Sequence, residues 1–227
     1  MASLTGRRPR LAVLVSGQGS NLQALLEAIA DGRLDADVVG VFSDRPAAPA
    51  LGRVAPALRW SRAARAYPER AAFDAELADA VAATAPDWVF CAGYMRILDA
   101  CFVRRFQGRL LNVHPSLLPR YKGLHTHARA LQAGDTEHGA SVHFVVPALD
   151  AGAVVAQAPI PILPGDSPPS LAERLLPHEH RLVVAVMVLA CSGRLAERDG
   201  QALLDGQTLF TPLRLDSTGH LHPAVAG

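Results

Sequence analysis

Asn112 and His114 are polar side chains at the end of an apolar run, and together they could do chemistry. The run reads Leu-Leu-Asn-Val-His-Pro from position 110. Residues two apart on a strand point to one face, so the amide and the imidazole would project together. Pro115 cannot donate to a neighbouring strand and should end the pairing there. Because ligands bind beyond the carboxyl ends of strands in open parallel sheets, the pair predicts a reaction centre. A capped strand end with a hydrogen-bonded histidine is the alternative.

Asp150 could join this centre from a distant part of the chain. It lies in the turn Ala-Leu-Asp-Ala-Gly between two predicted strands. If the turn folds back onto His114, the carboxylate would favour the charged imidazole and raise its pKa. An ordinary turn aspartate is the alternative, and the spacing does not choose between them.

A glycine loop, Gly-Gln-Gly-Ser-Asn at 17–21, separates an apolar run at 11–15 from helical spacing at 22–29. In such an arrangement the N–H groups of the helix N-terminus are free to bind an anion, and glycine allows close approach. A side chain in place of Gly19 would enter that space. The third glycine of the dinucleotide-binding motif is absent, so the loop predicts one phosphate, with a plain tight turn as the alternative.

The elements that would position these residues alternate between strands and helices, which predicts an α/β fold with a mostly parallel twisted sheet flanked by helices. Apolar runs and alternation predict strands at 11–15, 38–42, 88–92, 110–114, 141–146 and 154–162. Helical spacing predicts helices at 22–29, 51–57, 71–83, 100–106, 126–133 and 170–191. Pro177 should kink or break the last helix. The tail fits a hairpin at 203–209 and a loose end.

Composition excludes several classes of partner. The net charge of +1 gives no reason to expect binding to nucleic acid or to an anionic membrane. The apolar runs that follow residues 1–10 and that cover 182–191 are too short for a signal peptide and for a membrane span. Three widely separated cysteines predict no disulfide framework, so we expect a reduced cytoplasmic protein.

Nine histidines raise the question of a metal site. The pairs His125/His127 and His178/His180 have a spacing of two, which does not share a helix face, and no HExxH motif occurs. We therefore expect no metal.

Several segments together resemble the phosphoribosylglycinamide formyltransferase family, folate-dependent enzymes of purine synthesis. The matching segments keep the family order and spacing across roughly 11–179, at 16–23, 95–98, 111–119, 123–127, 138–144 and 149–152. The resemblance implies a Rossmann-like formyltransferase fold in a single domain, 1–227. It would have a nucleotide-binding half at about 11–105, a catalytic and folate-binding half at about 106–195, and a tail at 196–227.

The resemblance also implies a reaction and a set of site residues. The formyl group of 10-formyltetrahydrofolate would pass to the amine of glycinamide ribonucleotide in a monomer or homodimer. His114 would be the catalytic acid, Asp150 its partner, and Asn112 a donor to the oxyanion. The folate would contact Arg70, Met95, Arg96, Ile97, Leu98 and Asn112. The ribonucleotide would contact Gly19, Ser20, Asn21 and Glu179. A cis peptide is implied before Pro119.

The principal alternative is formyltetrahydrofolate deformylase, which uses the same asparagine, histidine and aspartate on water. That family carries an extra N-terminal regulatory domain, whereas here the first predicted strand starts at Leu11, and it lacks the Gly-Ser-Asn-Leu-Gln loop. Methionyl-tRNA formyltransferase would need a C-terminal RNA-binding domain and a basic surface. A non-catalytic nucleotide-binding protein is a further alternative, but it would use only the glycine loop and give Asn112, His114 and Asp150 no function.

Overall fold

The computed structural model describes residues 6–223 and contains two β-sheets with flanking helices. The strands are β1 (Arg10–Val15), β2 (Asp37–Ser43), β3 (Arg59–Ser61), β4 (Trp88–Cys91), β5 (Leu110–His114), β6 (Glu137–Phe144), β7 (Val154–Pro161), β8 (Leu195–Arg198), β9 (Gln201–Leu204), β10 (Gln207–Thr208), β11 (Leu213–Leu215) and β12 (Leu221–His222). The helices are α1 (Ser20–Ala30), α2 (Arg70–Ala83), α3 (Ala100–Arg105), α4 (Thr126–Gln132) and α5 (Pro168–Cys191).

The central sheet has nine strands in the order β12-β11-β7-β6-β5-β4-β1-β2-β3. Five adjacent strands of the sheet run parallel to one another: β3, β2, β1, β4 and β5. Strand β11 is also parallel to its neighbour β7. β6 is antiparallel to both β5 and β7. The predicted mostly parallel α/β sheet is therefore confirmed, with its antiparallel section beside the strand that carries Asn112 and His114.

Both faces of β1 are buried, as its continuous apolar sequence predicts for a central parallel strand. Leu11 and Val13 belong to the core on one face, whereas Ala12 and Leu14 belong to the core on the other. Each leucine or valine buried this way stabilises the fold by about 1.5–3 kcal/mol. The same burial fixes the end of β1, where the glycine loop begins.

Helix α5 continues through Pro177, so of the predicted kink or break the break is wrong, and the kink stays a prediction. The helix starts with a capping box in which the Ser167 hydroxyl accepts from the Ser170 N–H. Proline removes one hydrogen bond from the helix, but Leu175 before it and Leu182 after it are buried against the core. Packing on both sides therefore maintains the helix past Pro177 and carries Glu179 to a defined place.

The tail differs most from the sequence prediction. The hairpin at 203–209 is present as β9 and β10, and β8 extends it to a three-stranded antiparallel sheet. The prediction of a loose end after this hairpin is wrong, because β11 pairs with β7. The pairing buries Leu213 and Leu215, while Arg214 points outward. Residues 1–5 and 224–227 lie outside the described part of the chain.

Smaller differences concern short elements. The helix predicted at 51–57 is two 3-10 turns, Pro49–Arg53 and Pro56–Leu58, each begun by a proline. Strand β6 starts four residues before the predicted position.

The peptide between Leu118 and Pro119 is cis, as the family resemblance implies. No helix between residues 6 and 223 has the length and apolarity that crossing a bilayer requires.

Candidate active site

A cavity of about 590 Å³ opens at the carboxyl end of β5. Eight predicted site residues line it: Met95, Arg96, Ile97, Leu98, Asn112, His114, Asp150 and Glu179. Met95 and Ile97 expose 59% and 53% of their surface there, which is unusual for large apolar side chains and suits an apolar ligand. The cavity therefore has an apolar wall and a polar end.

His114 is buried at the polar end with both ring nitrogens near oxygen atoms. Its Nε2 lies 2.9 Å from the Tyr121 carbonyl oxygen. A carbonyl only accepts, so Nε2 carries a proton. Its Nδ1 lies 3.5 Å from Oδ2 of Asp150. A second proton on the imidazole would therefore sit at Nδ1, beside a carboxylate.

The turn that contains Asp150 does fold back onto the end of β5. Asp150 has a φ of 45°, a left-handed conformation that aspartate tolerates better than most residues. Its Oδ2 accepts from the Gly123 N–H at 2.9 Å, which holds the carboxylate in place. Its Oδ1 lies 3.7 Å from Nε2 of His143. The carboxylate thus stands between two histidines.

His143 is the residue of this centre to which sequence analysis assigned no role. It lies opposite Asn112 across the β5–β6 pair. Its Nδ1 lies 2.8 Å from the Phe144 carbonyl oxygen and must donate to it. Burial lowers the pKa of His143, which favours the neutral ring with a bare Nε2. That nitrogen accepts from Nδ2 of Asn112 at 3.1 Å. One hydrogen of the Asn112 amide nitrogen is then held by His143, and the other remains for a ligand.

The glycine loop meets the cavity through Glu179. Gly19 is the N-cap of α1 with φ 70° and ψ 38°, and Asn21 in the first turn is buried. The Asn21 amide nitrogen donates to Glu179, whereas Oδ1 of Asn21 is buried without a hydrogen-bond partner in the described part of the chain. Burial raises the pKa of Glu179. Gly19, Ser20 and Asn21 lie outside the cavity lining, and Glu179 joins the two regions.

The two predicted folate-contacting arginines differ in position. Arg96 lines the cavity, and its guanidinium lies 5.1 Å from the centre of the Phe73 ring. Arg70 lies outside the lining and is within 3.4 Å of Oδ2 of the buried Asp74. A direct folate contact by Arg70 stays a prediction.

Replacing Gly19 with valine should disturb the loop, for a reason other than the one predicted. A Cβ at position 19 would lie 2.5 Å from the Ala50 Cβ, behind the loop, and the positive φ disfavours a β-branched residue. We expect a binding constant for a phosphate-bearing substrate weakened about tenfold or more. Gly17→Ala is the matched control, because nothing lies within 4 Å of a Cβ there. Equal loss in both variants, or a lower melting temperature alone, would contradict a specific role of Gly19.

A second pair of histidines lies next to His114. The rings of His127 and His138 are 4.8 Å apart, and both ring nitrogens of His138 are buried without partners in the described chain. Burial lowers the pKa of His138 to about 4. Within residues 6–223 there is no cluster of three or more His, Cys, Asp or Glu side chains that could bind a metal ion. The absence of a metal requirement stays a prediction.

His138 should make the fold sensitive to acid. Its pKa is about 4 when folded and ordinarily 6.5, so the unfolded chain binds the proton first as the pH falls. The free energy of unfolding should therefore decrease from pH 6.5 to about 4, by up to about 3 kcal/mol from this group. His138→Leu should flatten that decrease, whereas His220→Leu at an exposed position should not. Denaturant unfolding at several pH values measures it, and parallel curves for wild type and His138→Leu would contradict it.

Taken together, the fold and the cavity define an α/β enzyme with an amide–histidine–aspartate centre beside a glycine loop. The profile of the formyl transferase family matches residues 9–187. The chain therefore belongs to the formyl transferase family. It is 45% identical over 201 residues to the phosphoribosylglycinamide formyltransferase of Escherichia coli, covering 88% of this chain and 95% of the relative.

Solved structures agree with this assignment. The phosphoribosylglycinamide formyltransferase of Coxiella burnetii superposes with a TM-score of 0.83 at 40% identity, over 89% of this chain and 96% of that one. A formyltetrahydrofolate deformylase from Pseudomonas syringae has a TM-score of 0.77 at 21% identity, over 88% of this chain and 66% of that one. That lower identity shows a common fold alone.

Proposed function

We propose that the chain transfers the formyl group of 10-formyltetrahydrofolate to the amine of glycinamide ribonucleotide. The products are formylglycinamide ribonucleotide and tetrahydrofolate, a step of purine synthesis. One observation carries the proposal: Glu179 lines the cavity and also accepts a hydrogen bond from Asn21 in the glycine loop. A ribonucleotide with its phosphate at the loop would therefore extend past Glu179 toward His114.

The phosphate end is supported by the loop geometry. Gly19 in the left-handed conformation followed by helical Ser20 and Asn21 presents backbone N–H groups at the start of α1. Such groups, together with the helix dipole, favour an anion. The unpartnered Oδ1 of Asn21 and the half-buried Glu179 offer acceptors for ribose hydroxyls or for the amine.

The folate end is supported by the size and lining of the cavity. A volume of about 590 Å³ lies in the range of small-molecule sites. Met95, Ile97 and Leu98 give an apolar wall for a flat ring system. Arg96 lines the cavity and supplies positive charge for the anionic tail of a folate, and Arg70 acts on the same buried Asp74 as Arg96 does. The residues present therefore fit the co-substrate.

The chemistry at the polar end would proceed by attack of a neutral amine on the formyl carbon. A new carbon–nitrogen bond forms, and negative charge develops on the formyl oxygen. The free amide hydrogen of Asn112 would donate to that oxyanion, an interaction worth roughly 3 kcal/mol. His143 supports it by accepting the other amide hydrogen, with 3.1 Å between Nδ2 of Asn112 and Nε2 of His143.

Proton transfer would then complete the reaction at His114. The bond from the formyl carbon to the folate nitrogen breaks and that nitrogen gains a proton from His114, while the proton that the attacking amine loses passes back to His114, so the ring ends in its starting protonation state. His114 would give the proton from Nδ1, which Asp150 favours in the charged ring. The distance of 3.5 Å to Asp150 is too long for a formed hydrogen bond, so the Nδ1 proton remains available to substrate.

The deformylase alternative needs the same three side chains but only water as the acceptor. It would leave the Asn21–Glu179 connection and the glycine loop without a substrate. The transferase therefore accounts for more of the site. We also expect small-molecule substrates rather than nucleic acid or membrane partners, activity in the cytoplasm, and a monomer or homodimer.

A direct assay separates the two activities. Formation of tetrahydrofolate from 10-formyltetrahydrofolate is followed with and without glycinamide ribonucleotide. The proposal expects turnover only with the ribonucleotide, and stoichiometric formylation of its amine. Turnover that ignores the ribonucleotide and releases formate would establish the deformylase instead.

A further inference from the structure

Arg53 lies beside the glycine loop and contacts it directly. Its Nε donates to the Gln18 carbonyl oxygen at 2.8 Å, and its Nη1 donates to the side-chain oxygen of Gln23 at 2.9 Å. Arg53 ends the 3-10 turn Pro49–Arg53. One guanidinium thus ties this turn to the loop and to the first turn of α1. Both acceptors are neutral oxygens, so the contacts fix geometry rather than balance a charge.

The Gln18 carbonyl determines where the next N–H group points. In a trans peptide the C=O and the following N–H point in opposite directions. A Gln18 oxygen held toward Arg53 therefore aims the Gly19 N–H to the other side of the loop. Left-handed Gly19 followed by helical Ser20 turns successive N–H groups toward one point, which makes an anion-binding concavity. Between residues 6 and 223, the N–H groups of Gly19, Ser20 and Asn21 donate to no other group.

The same turn supports the loop at a second point. Ala50 donates its N–H to the Gly17 oxygen at 3.1 Å. A Cβ on Gly19 would lie 3.5 Å from Nε of Arg53 and closer still to Ala50. The turn Pro49–Arg53 is therefore in close contact with the back of the loop, and the guanidinium is its only side-chain hydrogen bond to the loop among the described residues.

We propose that Arg53 is a positioning residue for phosphate binding. It holds the Gln18–Gly19 peptide in the orientation that presents the loop N–H groups to the anion. The inference rests on the proposed function, because the anion is taken to be the phosphate of the ribonucleotide. Arg53 lies on the side of the loop where the Gln18 carbonyl points, opposite the N–H groups that would bind the anion. It therefore does not touch the reacting atoms.

Three variants test this role. Arg53→Ala removes both contacts, and Arg53→Lys keeps the charge but cannot reproduce the planar fork. Both should weaken inorganic phosphate binding, measured by titration calorimetry, roughly tenfold, and should raise the KM for glycinamide ribonucleotide by the same factor. The kcat at saturation and the KM for formyl-folate should stay within about twofold. Arg65→Ala, at an exposed arginine outside the loop, is the control for lost charge.

The outcomes are distinguishable. Wild-type phosphate affinity in Arg53→Ala would overturn the inference, and so would full recovery in Arg53→Lys, which would make charge alone sufficient. A parallel rise in both KM values with a lower melting temperature would indicate misfolding and also overturn it. Weakened phosphate binding in Arg53→Ala, in a protein whose turnover ignores the ribonucleotide, would support the role of Arg53 and count against the proposed function only.

Discussion

Replacing His114 with asparagine is expected to lower kcat by about a thousandfold, the range for losing a proton-transfer group. Both KM values should change little, because the imidazole acts mainly in the transition state. Asparagine is smaller than histidine, and its short amide does not reach the Tyr121 carbonyl oxygen that Nε2 of His114 contacts at 2.9 Å. It cannot exchange a proton at neutral pH, so the fall in kcat reports mainly the loss of that function.

The measurement combines steady-state kinetics with equilibrium binding of glycinamide ribonucleotide. His220→Asn, at an exposed histidine in the tail, is the matched control and should keep full activity. Melting temperatures of both variants show whether the fold is intact. A fall in kcat of less than about tenfold with unchanged binding would mean that another group supplies the proton.

Replacing Asp150 with asparagine should lower kcat by about a hundredfold. The change keeps the shape and an oxygen for the Gly123 N–H, which is bound at 2.9 Å, but removes the negative charge 3.5 Å from Nδ1 of His114. The imidazolium loses an electrostatic partner, so the rate should begin to fall at a lower pH on the basic side. The pH dependence of kcat measures this. A basic limb that does not move would show that Asp150 does not act through the charge of His114.

The double variant His114→Asn/Asp150→Asn tests whether the pair acts as one unit. If it does, the double variant should be about as slow as His114→Asn alone, because the second change has nothing left to affect. Rates that multiply would show two independent contributions.

Much of the fold was accessible from sequence because the determining signals are local. The apolar runs of β1 and β4 are continuous, and the glycine loop follows β1 at once. The Asn112–His114 spacing on β5 depends only on strand geometry. The resemblance to a family then ordered these elements correctly.

The remaining features depend on contacts between distant segments. Whether Asp150 meets His114, 36 positions earlier in the sequence, depends on the fold of the β6–β7 turn, so sequence left two alternatives. His143 faces Asn112 because β6 pairs with β5 in one register, and no local pattern specifies that register. Pro177 indicated a break, but the burial of Leu175 and Leu182 outweighs one lost hydrogen bond. The tail strand β11 was missed because three residues give too short an alternation.

The strand order has a consequence for how copies of this chain could associate. The outermost strands of the central sheet, β3 and β12, contain three and two residues. Long free edges allow sheets of two molecules to join by backbone hydrogen bonds, and short ones discourage it. β11 covers part of the longer strand β7, which would otherwise be exposed. Two copies of this chain should therefore associate through side chains rather than by joining sheet edges, and a truncation that removes β11 should promote aggregation by exposing β7.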